Sequence, residues 1–127
     1  MTVKLTLLAI FVACAHSLAL SQQITTATDH YVGTANNWVN YGSDKSGLYV
    51  EVNFADLGLQ KTPQVFTYLT CTSHCWDSSG ATSIYELDNK HFRVYVRRIS
   101  DDYRLDKDFA ATNKWVLNYR ILNMDFE

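Results

Sequence analysis

Four segments of the chain alternate apolar with polar side chains at a period of two residues. They are residues 48–54, 65–71, 92–97 and 115–121. This period places alternate side chains on opposite faces of a β-strand, and the β-branched and aromatic residues in these segments favour a half-buried sheet. A shorter strand is expected over 82–87 and another around 38–41. About six strands joined by short links predict an all-β fold, a single antiparallel β-sandwich.

Turn-forming residues separate the predicted strands. Segments 42–47 and 78–80 are rich in glycine and serine, and the link 88–90 is short enough for a hairpin. Pro63 stands where a strand begins, a position at which its missing N–H costs little. Only 101–111 has helical features, and its charges predict a long surface loop or one helical turn.

Residues 1–19 have the pattern of a secretory signal peptide. Lys4 supplies a positive charge, residues 5–15 form a short apolar run, and small residues follow. Cleavage after Ser21 is an alternative to cleavage after residue 19. The apolar run is shorter than the roughly 20 residues that span a bilayer, which argues against a membrane anchor. We therefore predict a secreted, extracellular protein whose single sandwich domain occupies residues 22–127.

The charge balance bears on the class of partner. The chain has 11 Lys and Arg against 13 Asp and Glu, a formal net charge of -2. Nucleic acids and anionic membrane surfaces attract basic proteins, so neither is predicted as a partner. The hydrophobic residues, 47% of the chain, are enough for a real core.

Removal of the signal peptide leaves two cysteines, Cys71 and Cys75. An even pair in an oxidising compartment predicts a local disulfide across a very short loop. The alternative is a metal site that includes His74, but no fourth ligand is evident.

The common catalytic motifs are absent from the sequence. There is no Gly-x-Ser-x-Gly, no His-Glu-x-x-His, no phosphate-binding glycine loop and no EF-hand pattern. We therefore predict no enzyme activity, no catalytic residues and no cofactor. A triad assembled in space from a histidine such as His30 or His91 is the less favoured alternative.

One acidic cluster raises the question of calcium. It consists of Asp101, Asp102, Asp106 and Asp108. Oxygen-rich loops bind calcium in secreted proteins, but Arg104 and Lys107 lie inside this one and compete for the carboxylates. A solvated loop without metal is the favoured interpretation.

Aromatic residues beside polar ones are the remaining candidate for a site. Sugar-binding proteins stack pyranose rings on aromatic faces and pair the hydroxyl groups with polar side chains. The predicted ligand-binding residues are His74, Trp76 and Asp77 in the disulfide loop, with Tyr95 and Arg97 on one face of a strand. Two alternatives stay open. In the first, Trp76 binds no ligand and instead fills one end of the core. In the second, the face that bears Arg93 and Arg97 meets either solvent or another subunit.

The arrangement of these segments resembles the H-type lectin family. The resemblance rests on segments 52–54, 57–59 and 62–65, on 85–92 before a Phe-led strand, and on 115–119 as closing strand. It covers roughly residues 49–122. Two positions depart from the family pattern: Ser83 stands where an arginine is expected, and Ile99-Ser100 replaces a Trp-His pair. The resemblance implies a six-stranded antiparallel sandwich, often trimeric, that binds N-acetylgalactosamine-type sugars.

Two classes of function follow from these observations. The first is a secreted, carbohydrate-binding, lectin-like module for galactose- or N-acetylgalactosamine-type sugars. Its expected partners are glycans or glycoproteins, and its expected state is a homo-oligomer such as a trimer. The second is a secreted structural or extracellular-matrix protein that uses the same sandwich for self-association.

Overall fold

The computed structural model describes residues 28–124, and its side chains from 30 to 123. The predicted signal peptide and its cleavage site lie outside the described residues. Residues 30–123 form one compact unit. The packing and the sites described below belong to the unit 30–123.

Eight strands lie between residues 28 and 124, and they form two sheets. The strands are β1 (Thr28–Ala35), β2 (Val39–Tyr41), β3 (Gly47–Asn53), β4 (Gln64–Thr70), β5 (Ser78–Ser79), β6 (Ile84–Tyr85), β7 (His91–Arg98) and β8 (Val116–Met124). The small sheet has the order β1-β8-β4. The large sheet has the order β2-β3-β7-β5, and β6 also pairs with β7. The predicted all-β fold with antiparallel sheets is confirmed.

The core lies between the two sheets because each sheet buries the alternate side chains that face the other. On the large sheet, register pairs Leu48 with Val96 and Val50 with Val94, all buried. On the small sheet, Leu117 and Ile121 of β8 are buried. Phe92 and Tyr119 join the two layers, with ring centroids 5.8 Å apart. Each such apolar side chain contributes roughly 1.5–3 kcal/mol by leaving water.

Two tryptophans close one end of this core. The Trp38 indole Nε1 donates to the Trp115 carbonyl oxygen at 2.8 Å, and the Trp115 Nε1 donates to the Ser73 carbonyl oxygen at 3.0 Å. Both indoles are buried. The tryptophans therefore combine apolar burial with satisfied N–H groups, as buried indoles usually do.

The segment expected to be a surface loop or a helical turn contains both a helix and core residues. A short helix spans Lys107–Thr112, and the Asp106 side chain caps it by accepting from the Phe109 N–H at 2.9 Å. The preceding loop buries Tyr103 and Leu105. Burial raises the pKa of the Tyr103 hydroxyl. The predicted helical turn is confirmed. The segment is not only a surface loop, because it also contributes Tyr103 and Leu105 to the core.

The structure extends the predicted set of strands and shortens one of them. The four long strands, the short strand near 38–41 and the hairpin across 88–90 are confirmed. The run 82–87 keeps only Ile84–Tyr85, since Glu86 adopts a positive φ of 53° that ends the strand. Strands β1 and β5 are additions to the prediction.

Within residues 28–124, no helix is long and apolar enough to cross a membrane.

Candidate functional site

The disulfide loop holds three of the predicted site residues. Cys71 and Cys75 are bonded, as predicted, and a 3-10 turn over Cys75–Asp77 follows. His74 precedes the turn with a positive φ of 68°. The Thr72 N–H donates to the Asn113 carbonyl oxygen at 2.9 Å, which fastens the loop to the segment before β8.

Asp77 faces the interior of the protein. Its side chain accepts a hydrogen bond from the Ser100 hydroxyl. Its carbonyl oxygen accepts from the Ile99 N–H at 3.0 Å and from the Tyr103 hydroxyl at 2.8 Å. The residue is 7% exposed. Asp77 therefore connects the disulfide loop to the segment after β7.

His74 also packs inward, against aromatic rings. Its ring centroid lies 4.6 Å from that of Tyr103 and 5.5 Å from that of Phe109. Its Nδ1 lies 2.6 Å from the Ser73 hydroxyl. This half-buried histidine belongs to the packing beneath the loop.

Trp76 points the other way and is 85% exposed. The interpretation that Trp76 fills one end of the core is wrong, because its side chain faces solvent, whereas Trp38 and Trp115 are the buried tryptophans. Of the three predicted residues in the loop, Trp76 alone offers its whole side chain to a ligand.

Tyr95 lies on the outer face of the large sheet, at the centre of a tyrosine cluster. Its ring centroid is 5.1 Å from that of Tyr41, 5.2 Å from that of Tyr85 and 5.6 Å from that of Tyr49. The contacts with Tyr41 and Tyr85 are edge-on, an arrangement that stabilises aromatic pairs beyond simple burial. The cluster joins four strands, since Tyr41 is on β2, Tyr49 on β3 and Tyr85 on β6.

Sequence reasoning identified Tyr95 but missed the other three tyrosines. Tyr49 could have been found from the sequence, because it alternates with the apolar residues of its strand and so lies on the same outward face as Glu51. Tyr41 and Tyr85 lie on strands of three and two residues, whose register no sequence pattern gives.

A charged group lies beside the cluster. The Arg93 Nε is 2.7 Å from the Glu51 Oε2 and 3.3 Å from the Glu86 Oε2. Its guanidinium carbon lies 5.4 Å from the centroid of the Tyr49 ring. Hydrogen bonds to Tyr95 and to Glu51 raise the pKa of Arg93. Arg93 is thus engaged in holding the sheet face together.

A cleft of about 870 Å³ opens along this face. We call it the tyrosine cleft; its lining includes Tyr41, Tyr85, Tyr95, Asp44, Ser46 and Arg97. The residues Tyr41 and Tyr85 are 58% and 50% exposed. The cleft therefore presents aromatic surface beside hydroxyl and charged groups, and it contains the predicted Tyr95 and Arg97.

The loop 42–47 forms one rim of the cleft. The Asp44 Oδ1 accepts from the Ser46 hydroxyl at 2.7 Å and from the Ser46 N–H at 3.3 Å. The Ser46 hydroxyl bond lowers the pKa of Asp44, so this carboxylate is ionised at neutral pH. Such a turn fixes the shape of the rim without any ligand.

A second concave surface lies on the outer face of the small sheet. It measures about 500 Å³ and is lined by Val32, Phe66, Tyr68, Asn118 and Arg120, among others. The first three are exposed apolar side chains. Arg120 and Asn118 therefore do not share a surface with Arg93, Tyr95 and Arg97, which lie on the other sheet.

The acidic residues of 101–108 are dispersed. The Asp101 Oδ1 lies 3.2 Å from the Arg98 Nη2, and the Asp106 Oδ2 lies 3.8 Å from the Lys45 Nζ. Among the residues that the structure describes, no group of three or more His, Cys, Asp or Glu side chains is arranged to hold a metal ion.

Comparison with known proteins adds no relative to this description: no family model, no curated protein and no solved structure matches the chain.

Proposed function

We propose that the protein is a secreted carbohydrate-binding module and that sugar binds in the tyrosine cleft. The exposed rings of Tyr41 and Tyr85, packed against Tyr95 in a cleft with hydroxyl groups, carry this proposal. Two half-exposed tyrosines contribute little to a core, so their clustering calls for another role.

The chemistry of the cleft suits a sugar ring. A pyranose has a face of C–H groups that stacks on an aromatic ring, and hydroxyl groups that need hydrogen-bond partners. Ser43, Ser46 and Ser79 of the cleft can supply these hydrogen-bond partners. Because the tyrosines are braced by their mutual contacts, little side-chain freedom is lost when a ligand binds.

The resemblance to H-type lectins supports the same class of function. It favours galactose- or N-acetylgalactosamine-type sugars, with glycans or glycoproteins as partners and binding without catalysis. The proposal moves the centre of the site from the disulfide loop to the sheet face, because His74 and Asp77 face inward.

The proposal predicts that Tyr85→Ala and Tyr41→Ala each weaken sugar binding by about tenfold or more, as loss of an aromatic contact does at binding hot spots. The mature protein is screened on a glycan array, and affinity for the best sugar is then measured by titration calorimetry. Tyr68→Ala is the matched control, since Tyr68 is 61% exposed on the other sheet. Wild-type protein that binds no glycan, or tyrosine variants that bind like wild type, would overturn the proposal.

Trp76→Ala in the same assay decides between the two locations. If it abolishes sugar retention while the tyrosine variants do not, the site lies at the disulfide loop.

The second candidate is a structural protein that associates with itself. The exposed Val32, Phe66 and Tyr68 on the outer face of the small sheet favour it, because large apolar side chains rarely gather on a face that meets only water. Arg120 lies beside them, and arginine is enriched at protein interfaces.

Both candidates include a homo-oligomer, with a trimer as the proposed state. Multi-angle light scattering of the mature protein at ~10 μM is expected to give a multiple of the monomer mass, since specific complexes commonly bind more tightly than this. Phe66→Asp should shift the mass to that of the monomer. A monomeric wild type argues against self-association.

A further inference from the structure

Arg93 and Arg97 occupy the same outer face of β7, on either side of Tyr95, but they have different neighbours. Opposite Arg93 on β3 stands Glu51, and the two side chains are bonded at 2.7 Å. Glu86 adds a second carboxylate at 3.3 Å. The charge of Arg93 is therefore neutralised within the protein.

Arg97 has no such neighbour. Gly47 stands opposite it on β3 and Ser79 on β5, so neither adjoining strand supplies a carboxylate. Arg97 is exposed, and no carboxylate in residues 30–123 forms an ion pair with it. None of the five donors of its guanidinium group is used in an ion pair with residues 30–123, so they are available to a ligand.

The position of Arg97 relates it to the ligand. It lines the tyrosine cleft and also a polar hollow of about 330 Å³, which shares Asp44, Ser46 and Ser79 with the cleft. The two concavities are therefore adjacent, and Arg97 lines both.

The other charged side chains around this junction are bonded to neighbours. Asp44 accepts from the Ser46 hydroxyl at 2.7 Å and keeps its negative charge, because this partner is neutral. Arg98 lies 3.2 Å from Asp101. Arg97 is thus a cation at the junction that forms no ion pair with a carboxylate of residues 30–123.

We propose that the tyrosine cleft binds an acidic carbohydrate and that Arg97 receives its anionic group. This inference rests on the proposed function and names its substrate class. A sugar ring stacks on Tyr41 or Tyr85, and a carboxylate or a sulfate ester on that ring or the next accepts hydrogen bonds from the guanidinium. Arginine suits both anions, because its planar donors match their paired oxygens.

The test compares acidic polysaccharides with their neutral forms. Polygalacturonate and its methyl ester probe a carboxylate; a sulfated galactan and its desulfated form probe a sulfate. We expect wild-type protein to bind at least one acidic polymer about tenfold more tightly than its neutral form, with a preference that weakens as salt is added. The polymer pair that shows the preference identifies the anion.

Variants assign the preference to Arg97. Arg97→Gln should weaken binding of the acidic form much more than binding of the neutral form, so that the preference is lost. Arg97→Lys should keep part of it, because the charge remains and the paired donors are lost. Arg120→Gln is the control, since Arg120 is exposed on the opposite sheet and should keep the full preference.

The outcomes separate this inference from the proposed function. If wild-type protein binds neutral and acidic forms equally, the acidic ligand is wrong. If Arg97→Gln keeps the preference, the assignment of the anion to Arg97 is wrong. A Tyr85-dependent sugar site stands in both cases. If wild-type protein binds no polysaccharide or array glycan, both proposals fall.

Discussion

Replacing Trp115 by alanine is expected to lower the free energy of unfolding by about 3–5 kcal/mol, the usual cost of removing a large aromatic side chain from a core. Trp115 is 1% exposed, and its ring packs against Phe109 with centroids 6.1 Å apart. The substitution also removes the hydrogen bond from its Nε1 to the Ser73 carbonyl oxygen, so the disulfide loop loses a tie to the core. Urea denaturation followed by fluorescence or circular dichroism measures the change.

The chain offers a matched control in Trp76→Ala. This substitution removes the same atoms from a side chain that is 85% exposed, so the change in unfolding free energy should stay within about 0.5 kcal/mol. Equal destabilisation by the two substitutions would contradict the assignment of Trp115 to the core and of Trp76 to the surface.

The second large effect is expected from Gly80→Ala. Gly80 has a φ of +99°, and a Cβ at this position would collide with the backbone carbonyl of Tyr95. The carbonyl belongs to β7, in the middle of the large sheet, and cannot move aside as a flexible side chain could. Left-handed strain and overpacking together predict a loss of about 2–5 kcal/mol in unfolding free energy, measured by urea denaturation.

Gly58→Ala separates the two causes. Gly58 has a φ of +65°, but a Cβ there would meet no atom within 4 Å. Backbone strain alone should therefore cost about 1–2 kcal/mol. If Gly80→Ala destabilises the protein no more than Gly58→Ala does, then β5 and the turn after it do not lie as close to β7 as described.

Strands β3 and β7 could be predicted from the sequence because their burial follows a strict period of two. In β3 and β7, every second residue from Leu48 to Val52 and from Phe92 to Val96 is buried. A face that is buried against a second sheet requires this alternation, so the sequence has to display it.

Strands β1 and β5 could not be predicted in the same way. β1 contains Gly33, whose position is covered by the Tyr119 side chain: a Cβ at Gly33 would overlap the phenol ring. An apolar residue is thus missing where a strand pattern needs one. β5 consists of two serines and exists because Arg97 and Arg98 of β7 supply its partners.

The candidate site was predicted in part. The outward phase of β7 correctly placed Tyr95 and Arg97 on one face, but pairing with Tyr41 and Tyr85 depends on tertiary contacts. For His74 and Asp77, residue type suggested a ligand site, while the left-handed backbone at His74 and the Ser100 bond turn both side chains inward. Local conformation decided what composition could not.

The position of β8 has a consequence for how the chain folds as it is made. β8 is the central strand of the small sheet, between β1 and β4, and it is the last strand of the described chain. Likewise, β3 ends at Asn53, but its partner β7 begins only at His91 and is synthesised later. Contacts this distant along the chain slow folding, and strands awaiting partners expose apolar surface to other chains. A chain truncated before Val116 therefore contains β1 and β4 but lacks the strand that pairs with both, and such a product should aggregate.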